Sequence, residues 1–160
     1  MEIVVAVYSD WGIGCDGTQP LVIPADRKHF REITGSDTVI VGRRTLADFP
    51  GGRPLKGREN IILSASGAQV EGAVTVCSAD EAAELAKTRE RVFVIGGASV
   101  YRALLPLCHT AHVTKIDAAP KSDVFFENLD ASPEWEETDS SPEYEHEGVK
   151  YRFVTYKRKK

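Results

Sequence analysis

Short, unbroken apolar runs recur along this chain. Ile3-Val4-Val5-Ala6-Val7, Thr38-Val39-Ile40-Val41 and Asn60-Ile61-Ile62-Leu63 each read as a strand. So do Ala73–Cys77, Arg91–Ile95 and His112–Ile116. Their apolar residues are continuous rather than alternating, the pattern of strands buried on both faces of a parallel sheet. Between them lie helical segments. In Leu21–Phe30, Pro24 suits the first turn of a helix, where its missing N–H is not needed, and Gly35 suits its end. Ser78, with Glu81 three residues on, starts a second helix running through Leu85. A third covers Ala98–Leu105 and is stopped by Pro106. An acidic strand around Trp135–Thr138 and a second over Lys150–Tyr156, with Tyr151 and Phe153 on one face, predict an antiparallel pair. The expected fold is α/β: a mixed, mostly parallel central sheet flanked by helices, closed by a C-terminal antiparallel hairpin.

Two stretches lack this patterning. Ser9–Gln19 holds Gly12, Gly14 and Gly17, with Ile13 between the first two, and predicts a mobile loop. Pro50, Gly51, Gly52, Pro54 and Gly57 predict a long surface loop between Leu46 and Glu59. With 160 residues, the chain fits one domain over 1–160 with a substantial core.

Composition removes several classes of function. The net charge of −4 argues against general nucleic-acid affinity. No run approaches the ~18 apolar residues of a membrane span, and the N-terminus enters a strand without a signal-like segment. Cys15, Cys77 and Cys108 are odd in number and lack metal-ligand spacing. Free thiols in a reducing cytoplasm, and no metal, are expected. Residues 127–147 carry nine acids and no Lys or Arg. The basic end, Lys157-Arg158-Lys159-Lys160, predicts a solvated terminus rather than a binding arm.

The candidate chemistry begins at Asp26. Asp26, Phe30 and Ile33 follow at i, i+4 and i+7, so one face of the first helix carries a single acid among apolar groups. Such an acid either favours the helix N-terminus electrostatically or grips a polar ligand in a dry pocket. Two strands end in glycine just before a helix, at Gly42-Arg43-Arg44-Thr45 and at Gly96-Gly97-Ala98-Ser99. Helix N-termini at the carboxyl edge of a parallel sheet bind phosphates, and glycine is also simply a means of turning a corner. Arg43 and Arg44 suit an extra phosphate, such as the 2′-phosphate of NADP, or balance nearby acids. No G-x-G-x-x-G, P-loop, zinc cluster or nucleophile elbow occurs in the sequence.

Taken in order and spacing, these pieces resemble a bacterial-type dihydrofolate reductase over nearly the whole chain. They are Val5-Ala6-Val7 with Gly12-Ile13-Gly14, Ile23-Pro24-Ala25-Asp26 with Phe30, and Val41-Gly42-Arg43-Arg44-Thr45. Arg53-Pro54-Leu55 with Gly57-Arg58, Asn60–Ser64, Val94–Gly97 with Tyr101, and Thr114–Asp117 complete the set. The resemblance implies NADPH-dependent reduction of dihydrofolate, by hydride transfer to C6 of the pterin and protonation at N5, in a cytoplasmic monomer that antifolates inhibit. Asp26 would bind the pyrimidine edge as the pocket's sole ionisable side chain, with Thr114 steadying it. Val5, Arg27, Phe30, Phe49 and Leu55 would line the substrate channel, and Arg58 would pair the glutamate α-carboxylate. Ala6, Ile13 and Gly14 would hold the nicotinamide. Gly42, Arg43, Arg44, Thr45, Leu63 and Ser64 would take the adenosine side. Ile95, Gly96, Gly97, Ala98, Ser99, Val100 and Tyr101 would meet the pyrophosphate and neighbouring ring.

Departures from the family's pattern are Leu21 in place of a tryptophan beside the nicotinamide, Arg27 after the acid, Ser99 in place of a basic residue, and Ser122 in place of a glycine. Leu21 offers no N–H, which bears on proton delivery and makes it a candidate for altered rate. Two alternatives stay open: a reductase of the same fold acting on a pteridine- or pyrimidine-like intermediate, and a non-catalytic NADP- or folate-binding protein.

Overall fold

The apolar runs form the interior of a nine-stranded sheet in the computed structural model, which describes residues 1–159. In chain order the strands are β1 (Glu2–Val7), β2 (Gly12–Gly14), β3 (Thr38–Gly42), β4 (Asn60–Leu63), β5 (Val74–Val76) and β6 (Val92–Gly96). They continue as β7 (Thr110–Ile116), β8 (Val124–Phe125), β9 (Trp135–Ser140), β10 (Tyr144–His146) and β11 (Val149–Arg158). The helices are α1 (Pro24–Thr34), α2 (Arg43–Ala47), α3 (Ala79–Ala86) and α4 (Ala98–Leu104). The main sheet runs β10-β11-β7-β1-β6-β3-β4-β5, with β9 pairing β11. From β7 to β5 every pairing is parallel, and β11 joins antiparallel to β7.

Alternate residues divide the sheet into two packed faces. Ile3, Val5, Val7, Ile40, Ile61 and Val94 lie in the cluster that includes α4 residues Val100 and Leu104 and α3 residue Ala82. On the other face, Tyr8, Ile23, Ile116 and Tyr151 form one cluster and Val41, Leu46 and Ile62 another. Pro24 is the first residue of α1, and Gly35 ends it at φ 50°, a positive φ that glycine adopts without penalty.

Several expectations are corrected. The Ser9–Gln19 stretch is not all loop, because β2 pairs antiparallel with β8, a strand too short to show periodicity. The predicted acidic strand β9 does pair antiparallel with β11, across a bulge, but the hairpin itself joins β10 to β11 through Glu147-Gly148. The basic end is not simply solvated. Arg158 donates from Nη2 to the Leu105 carbonyl (2.7 Å) and from Nε to that of Cys108 (2.9 Å), with its guanidinium 4.6 Å from the Trp135 ring. Lys160 lies outside the described residues.

At the amino edge of the sheet, Glu2 is 8% exposed and accepts bonds from Arg91 Nε (2.8 Å) and His112 Nε2 (2.9 Å). Burial pushes its carboxyl up, but the bonds from His112 and Arg91 outweigh burial and hold the pKa at about 2 instead of 4.5. A depressed folded-state value stabilises the fold above the unfolded pKa. Stability is therefore expected to fall by on the order of 2–3 kcal/mol as pH drops from about 4.5 towards 2. Urea unfolding across that range checks this. Glu2→Gln should be less stable at pH 7 and lose this part of the acid dependence; an unaltered acid profile would place the effect on other groups.

Candidate active site

The parallel pairing of β1 with β6 covers only Glu2↔Phe93 and Ile3↔Val94. Beyond it the two strands part, and the sheet opens at its carboxyl edge, where open α/β sheets bind ligands. The Val4 carbonyl left free by this opening accepts the Tyr101 hydroxyl at 2.7 Å. Burial first, and then the charge of Asp26, push the Tyr101 phenol far above its ordinary pKa, so it stays a donor.

Beside this opening, α1 crosses the sheet. Ala6 stands in register with Thr114, and Thr114 with Phe153, so three strands share one row under the helix. The Thr114 hydroxyl, 3% exposed, donates to Asp26 Oδ1 at 2.5 Å. Asp26 thus spans from helix to sheet, and the residue capping α1 is Ile23, which makes no side-chain cap. Burial pushes the Asp26 carboxyl above the ordinary aspartate range, opposed by the Thr114 bond and by the charges of His29 and Arg27. One turn on, His29 stacks on Phe153, with ring centres 3.8 Å apart. Asp26, Phe30 and Ile33 are each half-buried, so their shared face stays partly open to solvent instead of filling a core.

Neighbouring groups are held by residues whose roles do not show in sequence. Tyr8 donates to the Leu21 carbonyl (2.8 Å) and accepts from the Leu21 N–H (3.0 Å), clamping the backbone just before α1. Arg58 donates from Nε to the Thr34 hydroxyl (3.0 Å), and its guanidinium stands 5.9 Å from the Phe30 ring centre. Asn60, 2% exposed, accepts from the Leu55 N–H and donates to the carbonyls of Leu55 and Arg58. A lone Asn opening an apolar strand was the one available signal. Phe49 and Leu55 are half-buried and Arg27 is exposed.

The two glycine junctions lie side by side at the same edge. A methyl at Gly42 would stand 3.0 Å from Val100 Cγ2, and one at Gly97 would stand 2.6 Å from Thr45 Oγ1. Neither α2 nor α4 has a side-chain N-cap, so their first backbone N–H groups have no side-chain acceptor. Arg43 donates to the Ala68 carbonyl (3.1 Å), bringing it to the loop after Ser64, whose hydroxyl meets that of Ser66 at 3.1 Å. Arg44 and Ser99 are exposed, and Leu63, Ile95 and Ala98 are half-buried. A depression of about 640 Å³ between Arg43, Phe49 and Val70 flanks this edge. The side chains of Val5, Val100 and Tyr101 do not reach the Asp26 face; they pack in the core cluster of the opposite one. Ile13 and Gly14 are placed by β2. Ser122 occupies the space a side chain at Gly12 would fill, since a methyl there would lie 2.2 Å from Ser122 Oγ.

The dihydrofolate reductase family model matches residues 1–158. The chain belongs to the dihydrofolate reductase family. It is 33% identical to the Neisseria gonorrhoeae dihydrofolate reductase over 98% of this chain and 96% of that one. It is 36% identical to the Mycobacterium tuberculosis enzyme, over 91% and 90% of the two chains. It also matches bifunctional dihydrofolate reductase-thymidylate synthases of plants, such as Arabidopsis thaliana at 36% identity, and spans about a third of their length (34%). Among solved structures, Enterococcus faecalis dihydrofolate reductase complexed with NADP(H) and RAB-propyl superposes with TM-score 0.89, at 31% identity, over 99% of this chain and 96% of that one.

Because burial raises the pKa of Asp26 in the fold, its charged form costs stability once pH rises through the folded value. Asp26→Asn keeps an acceptor for Thr114 and removes that charge. The variant is expected to be at least as stable as the parent at pH 7, with the advantage vanishing below about pH 3.8. Thermal melts against pH check this; a helix-capping carboxylate would instead cost ~1 kcal/mol on substitution.

Proposed function

We propose that this chain reduces 7,8-dihydrofolate to tetrahydrofolate with NADPH. The observation that carries the proposal is the Asp26–Thr114 pair, a half-buried acid held by a buried hydroxyl, on a sheet whose strands also end in two glycine junctions and Arg43. The residues at that edge fit a dinucleotide phosphate. The uncapped helix starts offer N–H groups, Gly42 and Gly97 keep the backbone approachable, and Arg43, Arg44, Thr45 and Ser64 supply donors. Arg43 and Arg44 would favour the 2′-phosphate, and Ala6, Ile13 and Gly14 would hold the nicotinamide. NADPH, when bound, supplies the hydride.

The chain's own residues bind and orient the substrate. Asp26 accepts hydrogen bonds from the pyrimidine edge of the pterin and holds negative charge beside it, which favours proton uptake at N5. Thr114 fixes which oxygen Asp26 presents. Leu21, set by Tyr8, supplies an apolar wall that excludes water, and Phe30, Phe49 and Leu55 line the channel beyond. Arg58, its Nε pinned by Thr34 and its Nη1 donating to the Lys56 carbonyl (3.0 Å), keeps Nη2 for the glutamate carboxylate. A glutamate-tailed substrate thereby gains over a bare pteridine or pyrimidine. We place the protein as a cytoplasmic monomer without a nucleic-acid partner, open to antifolate inhibitors. The net charge of −4 and three free cysteines support this, and among the described residues no helix is long and apolar enough to cross a membrane.

Steady-state oxidation of NADPH with dihydrofolate tests the proposal directly. Asp26→Asn should lower kcat at pH 7 by about 10²–10⁴-fold while NADPH affinity barely changes, and its residual activity should climb as pH falls. An Asp26→Asn protein with full activity would sink the mechanism. Replacing Arg43 and Arg44 with Ala should weaken NADPH far more than NADH, since each charge-assisted bond to phosphate contributes roughly 1.5–3 kcal/mol. Fluorescence titration with both cofactors decides it, and equal losses would show that the pair does not read the 2′-phosphate.

A further inference from the structure

Trp11 stands in the left-handed region, at φ 64°, and is 7% exposed. A bulky side chain adopts that conformation only where its surroundings enforce it. Here the indole lies nearly parallel to Phe126 (6.4 Å, 22°) and edge-on to Tyr156 (6.3 Å, 62°). The Lys115 ammonium is 5.3 Å from the indole ring centre, within cation–π range.

That ammonium is itself fixed in a closed triangle. Lys115 donates to Asp130 Oδ2 (2.6 Å) and to the Tyr156 hydroxyl (3.0 Å), and Tyr156 donates to Asp130 Oδ1 (2.6 Å). Asn128 accepts the Asp130 N–H at 3.0 Å and so orients the acid. Burial works against a charged Asp130, but the bonds from Lys115 and Tyr156 prevail and lower its pKa. Burial and the adjacent Asp130 push the Tyr156 phenol up, keeping its proton in place. Asp130 is exposed while the Lys115 ammonium is mostly covered, so the triangle anchors the ammonium over the indole from the solvent side.

The backbone shows what the indole controls. Trp11 N–H donates to Tyr8 (2.9 Å), Tyr8 N–H donates to Gly12 (2.9 Å), and Phe126 N–H donates to Trp11 (2.8 Å). Trp11 is therefore the pivot at which β1 turns into β2, the strand carrying Ile13 and Gly14. Lys115 is the neighbour of Thr114 on β7, so one strand holds Asp26 from one face and Trp11 from the other.

We propose that Lys115, Asp130 and Tyr156 form a positioning network that seats Trp11 and thereby aligns the Ile13–Gly14 segment with the Asp26 pocket. The proposal rests on the functional reading above in one respect: Ile13 and Gly14 are taken as the nicotinamide-facing residues.

Lys115→Met keeps the aliphatic stem and removes the charge and both bonds, and Tyr156→Phe removes one hydroxyl, a milder change that keeps the fold should the first variant fail. In each, the single-turnover hydride-transfer rate is expected to fall about 10–100-fold, the scale of small misalignment. The Kd for dihydrofolate should be unchanged, because Asp26 and Arg58 are untouched. Hydrogen exchange at the Trp11 and Phe126 amides of the ligand-free protein should quicken selectively. Wild-type protein that does not oxidise NADPH with dihydrofolate would sink the functional reading, while hydrogen exchange would still test the seat. An unchanged rate and unchanged exchange in folded Lys115→Met and Tyr156→Phe would overturn the network. So would a lowered melting temperature, with exchange quickened evenly and the hydride-transfer rate intact.

Discussion

One hydrogen bond organises the site: Thr114 on β7 donating to Asp26 on α1. A carboxylate in a half-buried cleft needs a partner, or it protonates or turns away. Supplying that partner from a strand ties the helix to the sheet at one register. Ala6 and Phe153 then lie on either side of Thr114 by strand pairing. Packing His29 on Phe153 continues the same contact line along α1, and Tyr8 settles the chain that leads into it.

The second constraint is the gap in the sheet. Parallel strands held together along their full length would leave no cleft. Here β1 and β6 pair for two residues and then separate, and Tyr101 answers the carbonyl that the separation frees. Close contact of Gly42 with Val100 and of Gly97 with Thr45 leaves no room for side chains at the two turns beyond. Both turns therefore bring two elements into backbone-close contact.

Several unusual residues are matched by their surroundings. Ser122 brings a side chain into the place where the family has glycine, and Gly12 opposite it gives up its own. Trp11 takes a backbone conformation that suits glycine, and three aromatic and cationic contacts hold it there. Leu21 keeps an apolar surface, while its backbone is fixed through Tyr8 rather than through a side-chain N–H.

Much of this fold was legible in the chain because its signals are local. Continuous Val/Ile runs can satisfy themselves only as interior strands, Pro24 and Gly35 bound a helix by their φ preferences, and Asp26 with Phe30 share a face by helical geometry. The Gly-Arg-Arg-Thr and Gly-Gly junctions were likewise legible as strand-to-helix turns, since glycine lets the backbone turn the corner there. Only the tertiary structure could decide the partners. That Asp26 bonds across 88 residues to Thr114, that Asn60 knits the Leu55–Arg58 turn, and that β2 exists at all depend on groups distant in sequence, whose pairing leaves no period to read. Tyr101 and Val100 are buried, and only the fold shows that the Tyr101 hydroxyl reaches the Val4 carbonyl and that Val100 packs against Gly42. Arg158 reads as the start of a solvated tail until the carbonyls of Leu105 and Cys108 claim it. Propensity and pattern act between neighbours a few residues apart. The site is made by long-range contacts, and those exist only once the sheet has brought its edges together.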